Sequence, residues 1–143
     1  MAIFGARADV SAIVHTHSPF AMAWSAARRQ IPAAHYVIAP LVAAGGDAIR
    51  VAEYATFGTE ALAKNAVAAL GDDSAVLLAN HGAVAVARSL ASAFGRAERI
   101  EELAAIAWRA EQLGGPVLLD ATELDRVGDQ MARFPPQRGT MGS

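Results

Sequence analysis

The sequence predicts an α/β protein, a single three-layer α/β/α domain. Three observations carry that prediction. Residues 75–79 (Ala-Val-Leu-Leu-Ala) form a continuous apolar run, which reads as a strand buried on both faces. Residues 89–113 form the longest helical pattern, with Leu90, Phe94, Ala97, Ile100, Ala104 and Ala107 recurring at spacings of three and four. Strand-like and helix-like segments mix along the chain with no internal repeat and no linker long enough to divide it. Residues 1–134 are therefore expected as one domain, and the Pro-, Gly- and polar-rich segment 135–143 as a disordered tail.

Taken in order, residues 1–6 read as the tail of a helix whose apolar Ile3 and Phe4 have nothing before them to pack with. Ala12-Ile13-Val14 leads into His15-Thr16-His17 as a buried strand, on its β-branched content. Ser18 as N-cap and Pro19 at the first helical position open a helix to about Arg28, on the Phe20/Trp24/Ala27 spacing. Ile31-Pro32 breaks it. A short helix is expected from His35-Tyr36-Val37-Ile38 to near Gly45-Gly46, then one short strand at Ile49-Arg50-Val51. Thr59 N-caps a helix that Leu70 ends and Gly71 closes, and Asp72-Asp73 makes a turn. After the strand at 75–79, Asn80-His81-Gly82 interrupts and Ala83-Val84-Ala85-Val86 resumes. Gly114-Gly115-Pro116 stops the long helix, and Asp120 with Glu123 resembles a capping box opening a last helix to about Phe134.

Composition narrows the chemistry. The 143 residues are 54% hydrophobic with a formal net charge of −2, enough chain for a real core and no basic patch with interleaved aromatics, so nucleic-acid binding is not expected. There are no cysteines, so a metal would need His, Asp or Glu. The start lacks a basic segment followed by an apolar run, and no apolar stretch is long enough to span a bilayer. A soluble cytoplasmic protein is expected. The single lysine, Lys64, sits on an amphipathic helical pattern and reads as a solvated surface residue rather than a Schiff-base lysine.

His15 and His17 are two residues apart in a strand, so both imidazoles point to one face while Thr16 points to the opposite layer. His81 stands at the end of the second buried strand, and Gly82 lets the backbone turn sharply or come close to a ligand. Three histidines from two adjacent strands suit a catalytic metal site with open positions, where the ion acts as a Lewis acid on a carbonyl. The competing reading is that each is a hydrogen-bonded core histidine. Glu60 reads as a first-turn helix charge, and Glu98, Glu101 and Glu102 as a solvated helix face.

The string Val14-His15-Thr16-His17-Ser18-Pro19 is similar to the metal motif of the class II aldolase/adducin family. The resemblance continues through Ile31-Pro32-Ala33-Ala34-His35-Tyr36, Ala52-Glu53-Tyr54-Ala55-Thr56-Phe57-Gly58-Thr59 and Leu77-Leu78-Ala79-Asn80-His81-Gly82, from about Ile3 to about Leu119. Within the family it looks most like the L-fuculose-phosphate aldolases. The resemblance implies that His15, His17 and His81 ligate a divalent metal, zinc by family expectation. It implies that Tyr36 donates a proton on the aldehyde side at a neighbouring subunit's site, against the alternative of a packed aromatic with a satisfied hydroxyl. Phe57 matches a residue near the substrate, with plain core packing as its alternative. The implied reaction is reversible cleavage of a ketose 1-phosphate to dihydroxyacetone phosphate and an aldehyde, in a homotetramer with sites at subunit interfaces.

The sequence departs from the family at its start. The family's acid/base glutamate lies on the helix before the His-x-His strand, which here is cut at Met1. Asp9 sits in an Arg-x-Asp turn and is a poor substitute. The Gly-, Ser-, Thr- and Asn-rich phosphate loops also lie upstream. The chain is expected to be a fragment or the product of a misplaced start rather than a short paralogue, lacking the family's N-terminal part and with little aldolase activity of its own. Three rival functions stand beside this reading. They are a pentulose-5-phosphate 4-epimerase, which the His35-Tyr36 pair disfavours, a non-catalytic adducin-like assembly domain, and a metal hydrolase, for which no general base beside the histidines is visible.

Overall fold

A computed structural model describes residues 2–134 of the chain, and within them the α/β/α layering is as expected. Helix α1 (Ala2–Ala6) leads into β1 (Ala12–Thr16), and α2 (Pro19–Ala26) follows at once. Strand β2 (Ile31–Pro32) and a 3-10 helix (Tyr36–Leu41) precede β3 (Ala48–Ile49) and β4 (Val51–Ala52). The order ends with α3 (Glu60–Leu70), β5 (Ala75–Leu78), β6 (Gly82–Ala87), α4 (Leu90–Gln112) and α5 (Ala121–Arg133). The tail expected at 135–143 lies outside the described residues. Among the described residues no helix is long and apolar enough to cross a membrane.

One sheet runs β1-β6-β5-β4, with β6 antiparallel to both neighbours and β4 parallel to β5. Strands β2 and β3 form a separate two-residue ladder. Side-chain alternation along the pleat makes the two outer layers. Ala75 and Leu77 of β5, with Ala83 and Ala85 of β6, face the core shared with α2, α4 and α5. Val76 and Leu78, with Val84 and Val86, face the core shared with α1 and α3. Every residue of β5 and β6 is buried, which is why their sequences are apolar without alternation. The α4 face of the sheet is rich in alanine and meets Ala97, Ala104 and Ala107, so the 23-residue helix lies close against it. Larger side chains then anchor it. Ile100 and Leu103 are fully buried, each worth about 1.5–3 kcal/mol.

Local signals mark the helix ends. The Thr59, Ser89 and Asp120 side chains accept from the N–H groups of Leu62, Ser92 and Glu123, and Gly71 closes α3 at φ 50. The reciprocal half of the Asp120/Glu123 box is replaced by an ion pair of Glu123 with Arg126.

Several expectations need correction. Ile3 is buried, because α3 supplies the partner surface that the sequence before it does not. Leu90 and Phe94 are exposed, since Ala93 packs on Ala12 and Ala87 in a contact with room only for small residues, and this turns Phe94 outward. The 3-10 helix stops at Leu41, before Gly45-Gly46. Ile49 and Val51 belong to different ladders on either side of Arg50. Arg50 donates twice to one carboxylate oxygen of Asp73, at 3.0 and 2.7 Å, and the other oxygen accepts from the Ala43 N–H at 2.7 Å. Asp73 is thus a buried, fully engaged carboxylate, and the turn expected at Asp72-Asp73 falls on Gly71 and Asp72.

Candidate metal centre

His15 lies in β1, and His17 is one residue past its end. His81 sits not at a strand end but in the three-residue turn joining β5 to β6. Asn80 takes the left-handed conformation (φ 54) and the His81 N–H donates to the Leu78 carbonyl at 3.0 Å, which tightens that turn. Antiparallel pairing sets His15 opposite Val84 and Thr16 opposite Ala83, so the start of β6 carries the turn alongside His17. His15 shares the face of Val84, and Thr16 the face of Ala83, as strand alternation requires.

The three rings meet. Their centroids are 4.7 Å apart for His15 and His17, 4.8 Å for His15 and His81, and 5.0 Å for His17 and His81. The Nε2 atoms of His15 and His17 are 2.9 Å apart. One nitrogen from each ring lies within 4.8 Å of the others, and among the described residues no carboxylate joins the cluster. The Ala83 carbonyl is 2.9 Å from His15 Nδ1. A carbonyl only accepts, so Nδ1 holds the proton and Nε2 presents its lone pair to the cluster. Burial first, then the neighbouring His15 and His17, hold the His81 pKa below its ordinary value and favour the neutral ring. Gly82 is required by the close approach of the two segments. A Cβ there would lie 2.3 Å from the Thr16 carbonyl oxygen and 2.9 Å from His17 Cδ2.

Helix α2 spans from one part of the cluster to the other. At its start the Phe20 and Ala21 N–H groups donate to the two oxygens of Glu101, at 2.9 and 2.8 Å. At its end the Asn80 N–H donates to the Ser25 carbonyl at 3.0 Å, and Arg28 Nε to Asn80 Oδ1 at 2.9 Å. Glu101 is therefore not part of a solvated face, whereas Glu98 and Glu102 are exposed and Glu102 pairs with Arg99. A signal for Glu101 was present, since it lies four residues after Ala97 and three before Ala104 on the buried stripe.

The other candidates stand apart. Tyr36 is half exposed and stacks on His35, with centroids 4.7 Å apart and planes at 29°. Phe57 is 80% exposed, which removes the core-packing alternative. Lys64 is solvated and pairs with Glu60 at 2.8 Å. Asp9 is gripped through both oxygens by Arg7, which lowers its pKa to about 2 and gives it a structural partner away from the cluster.

Residues 1–108 match the class II aldolase and adducin N-terminal domain, and the chain belongs to that family. It is 46% identical over 132 residues to the 5-methylthioribulose-1-phosphate/5-deoxyribulose-1-phosphate aldolase of Rhodospirillum rubrum, covering 92% of this chain and 58% of that protein. It is 39% identical over 131 residues to the 5-deoxy-D-ribulose 1-phosphate aldolase of Bacillus thuringiensis serovar kurstaki, covering 92% and 60%. A solved L-fuculose 1-phosphate aldolase superposes with a TM-score of 0.84 at 40% identity, over 91% of this chain and 59% of that one. The chain thus spans about three fifths of the length of these relatives.

The donor set fits a divalent cation. Nitrogens bound at about 2.0–2.1 Å to one ion lie no more than about 4.1 Å apart. The widest pair here, within 4.8 Å, closes to that by less than about 1 Å, within reach of ring rotation.

Proposed function

We propose that this chain carries the metal centre of a sugar-phosphate aldolase, an aldehyde-lyase that cleaves a ketose 1-phosphate to dihydroxyacetone phosphate and an aldehyde. The observation that carries the reading is the convergence of His15, His17 and His81 on the fold of that family. Zinc is the proposed metal, and it would supply Lewis-acid polarisation of the ketose oxygens. The Ala83 carbonyl keeps the proton of His15 on Nδ1, and burial keeps His81 neutral, so nitrogen lone pairs are available near neutral pH. Tyr36 is assigned as the proton donor on the aldehyde side, and its half-exposed ring at the start of the 3-10 helix is open to such a role. Phe57, also outward, is assigned to the substrate's surroundings. A homotetramer in the cytoplasm, with Tyr36 reaching a neighbouring site, completes the proposal.

The relatives favour a refinement of the substrate. 5-Methylthioribulose 1-phosphate and 5-deoxyribulose 1-phosphate both lack the hydroxyl at the end far from the phosphate, as the names of the relatives state. A ketose 1-phosphate with an apolar far end is therefore the proposed substrate class, ahead of L-fuculose 1-phosphate itself. The test is incubation of the zinc-loaded chain with 5-deoxyribulose 1-phosphate and a coupled assay for aldehyde. Aldehyde release that disappears in His17→Ala is expected, at a rate well below that of the Rhodospirillum rubrum relative. An epimerised pentulose phosphate in place of aldehyde would overturn the aldolase reading in favour of a 4-epimerase.

A further inference from the structure

We propose that Glu101 is a positioning residue for the histidine centre. Its carboxylate holds the start of α2, and through it His17, against α4, while the far end of α2 holds the turn that carries His81. The proposal rests on the reading of His15, His17 and His81 as metal ligands.

The eight-residue helix is a strut, about 12 Å long at 1.5 Å per residue. Its first residue, Pro19, is two residues from His17, so a slide of α2 moves that imidazole. At the other end the Ser25 carbonyl accepts from the N–H of Asn80, the neighbour of His81. Arg28 and Asn80, which grip each other, are the only non-glycine residues with positive φ among the described residues. The relative position of His17 and His81, set first by the β1–β6 ladder, therefore also depends on where α2 sits.

An ordinary N-cap would not fix that position. A serine cap bonds to its own helix and moves with it. Ser18 makes no such bond, and its Oγ is buried without a partner. The N–H groups it would serve donate instead to Glu101, 81 and 80 residues away on α4. Both bonds are charge-assisted, and the carboxylate sits at the positive end of the α2 dipole. One turn further along each helix, Trp24 Nε1 donates to the Ala104 carbonyl at 3.0 Å, a second tie of the same pair. The local cap has given way to a long-range one, which is the arrangement that sets a helix in place rather than merely ending it.

This predicts a separation of fold from site. In Glu101→Ala, Ser18 is free to rotate and accept the Ala21 N–H, so the helix keeps a cap but loses its tie to α4. The experiment is zinc affinity of the 143-residue chain by chelator competition, well below the lowest melting midpoint. It is paired with amide hydrogen exchange at Phe20 and Ala21. Glu101→Ala is expected to bind zinc about ten-fold more weakly, with Glu101→Gln intermediate because its amide offers one acceptor oxygen. Ile100→Val, which trims the core beside Glu101 and leaves the tie intact, is expected to bind zinc like the unaltered chain. Adding Ser18→Ala to Glu101→Ala is expected to lower the melting midpoint further without weakening zinc further. Equal affinity in Glu101→Ala and the unaltered chain would overturn the proposal, as would an equal loss in Ile100→Val. If Glu101→Ala does not fold, Glu101→Gln decides, and unaltered affinity with fast-exchanging Phe20 and Ala21 amides overturns it. An unaltered chain that binds no zinc overturns the metal reading itself, and the Glu101 proposal with it.

Discussion

Replacing Gly82 by alanine should damage the centre more than the same change at any other glycine among the described residues. The new Cβ would lie 2.3 Å from the Thr16 carbonyl oxygen and 2.9 Å from His17 Cδ2. Ordinary non-bonded contact requires an opening of about 1 Å. The obstruction is backbone, so it cannot swing aside, and β1 must move away from the start of β6 at the point where the His17 and His81 segments meet. Overpacking of this kind costs about 1–3 kcal/mol, or roughly a 3–9 °C lower melting midpoint for a chain of this length. Closing the three nitrogens on one ion already draws on ring rotation, so a further shift of the backbones that carry them should weaken zinc at least about ten-fold, equivalent to about 1.4 kcal/mol. The assay is a zinc isotherm by chelator competition beside a thermal melt followed by circular dichroism. A Gly82→Ala chain with zinc affinity within two-fold of the unaltered chain and an unchanged melting midpoint would refute the reasoning.

Two further predictions follow from the polar interior. Asp73→Ala leaves the Ala43 N–H unpaired and takes the carboxylate from Arg50, whose half-exposed guanidinium keeps water and the Leu70 carbonyl, and should cost about 1–3 kcal/mol in urea unfolding with little change in zinc affinity; a loss below about 0.5 kcal/mol would show the pair to be dispensable. His81 has a pKa lowered by burial and by its two neighbouring imidazoles, so the unfolded chain binds more protons than the folded one below the ordinary histidine value near 6.5. Metal-free stability should therefore be full above that value and fall as the pH drops through it toward the lower folded value. His81→Ala should flatten the fall in a series of melts from pH 8 to pH 5, and parallel profiles for the two chains would contradict this.

How much was legible in the sequence depended on whether a residue's role is local. The pairing of His15 with His17 was readable because the pleat alone sets side-chain direction. The value of Gly82 was readable in kind, as a close approach, but the atom it approaches belongs to Thr16, 66 residues away in sequence and brought there by the β1–β6 ladder. Caps at Thr59 and Asp120 are local and stand where the sequence places them, and α4 begins one residue after the helical pattern does, with Ser89 as its cap. The place of Glu101 on the buried stripe was legible between Ala97 and Ala104, but not its role, because its partners are backbone N–H groups of another helix. Phe94 was misread for a related reason. Hydrophobic spacing fixes a helix face only to within a residue or so, and the contact of Ala93 with Ala12 and Ala87 selected the smaller side chain. Asp73 looked like one of two turn aspartates until Arg50 and Ala43 arrived from distant segments.

The most direct test is X-ray absorption at the zinc edge on the chain loaded with one equivalent of zinc, beside His15→Ala, His17→Ala and His81→Ala. Three imidazole nitrogens at about 2.0–2.1 Å are predicted for the unaltered chain, with one imidazole lost from the spectrum and a sharp fall in affinity in each variant. Zinc bound with the same spectrum and affinity after any one of those substitutions would contradict a shared centre.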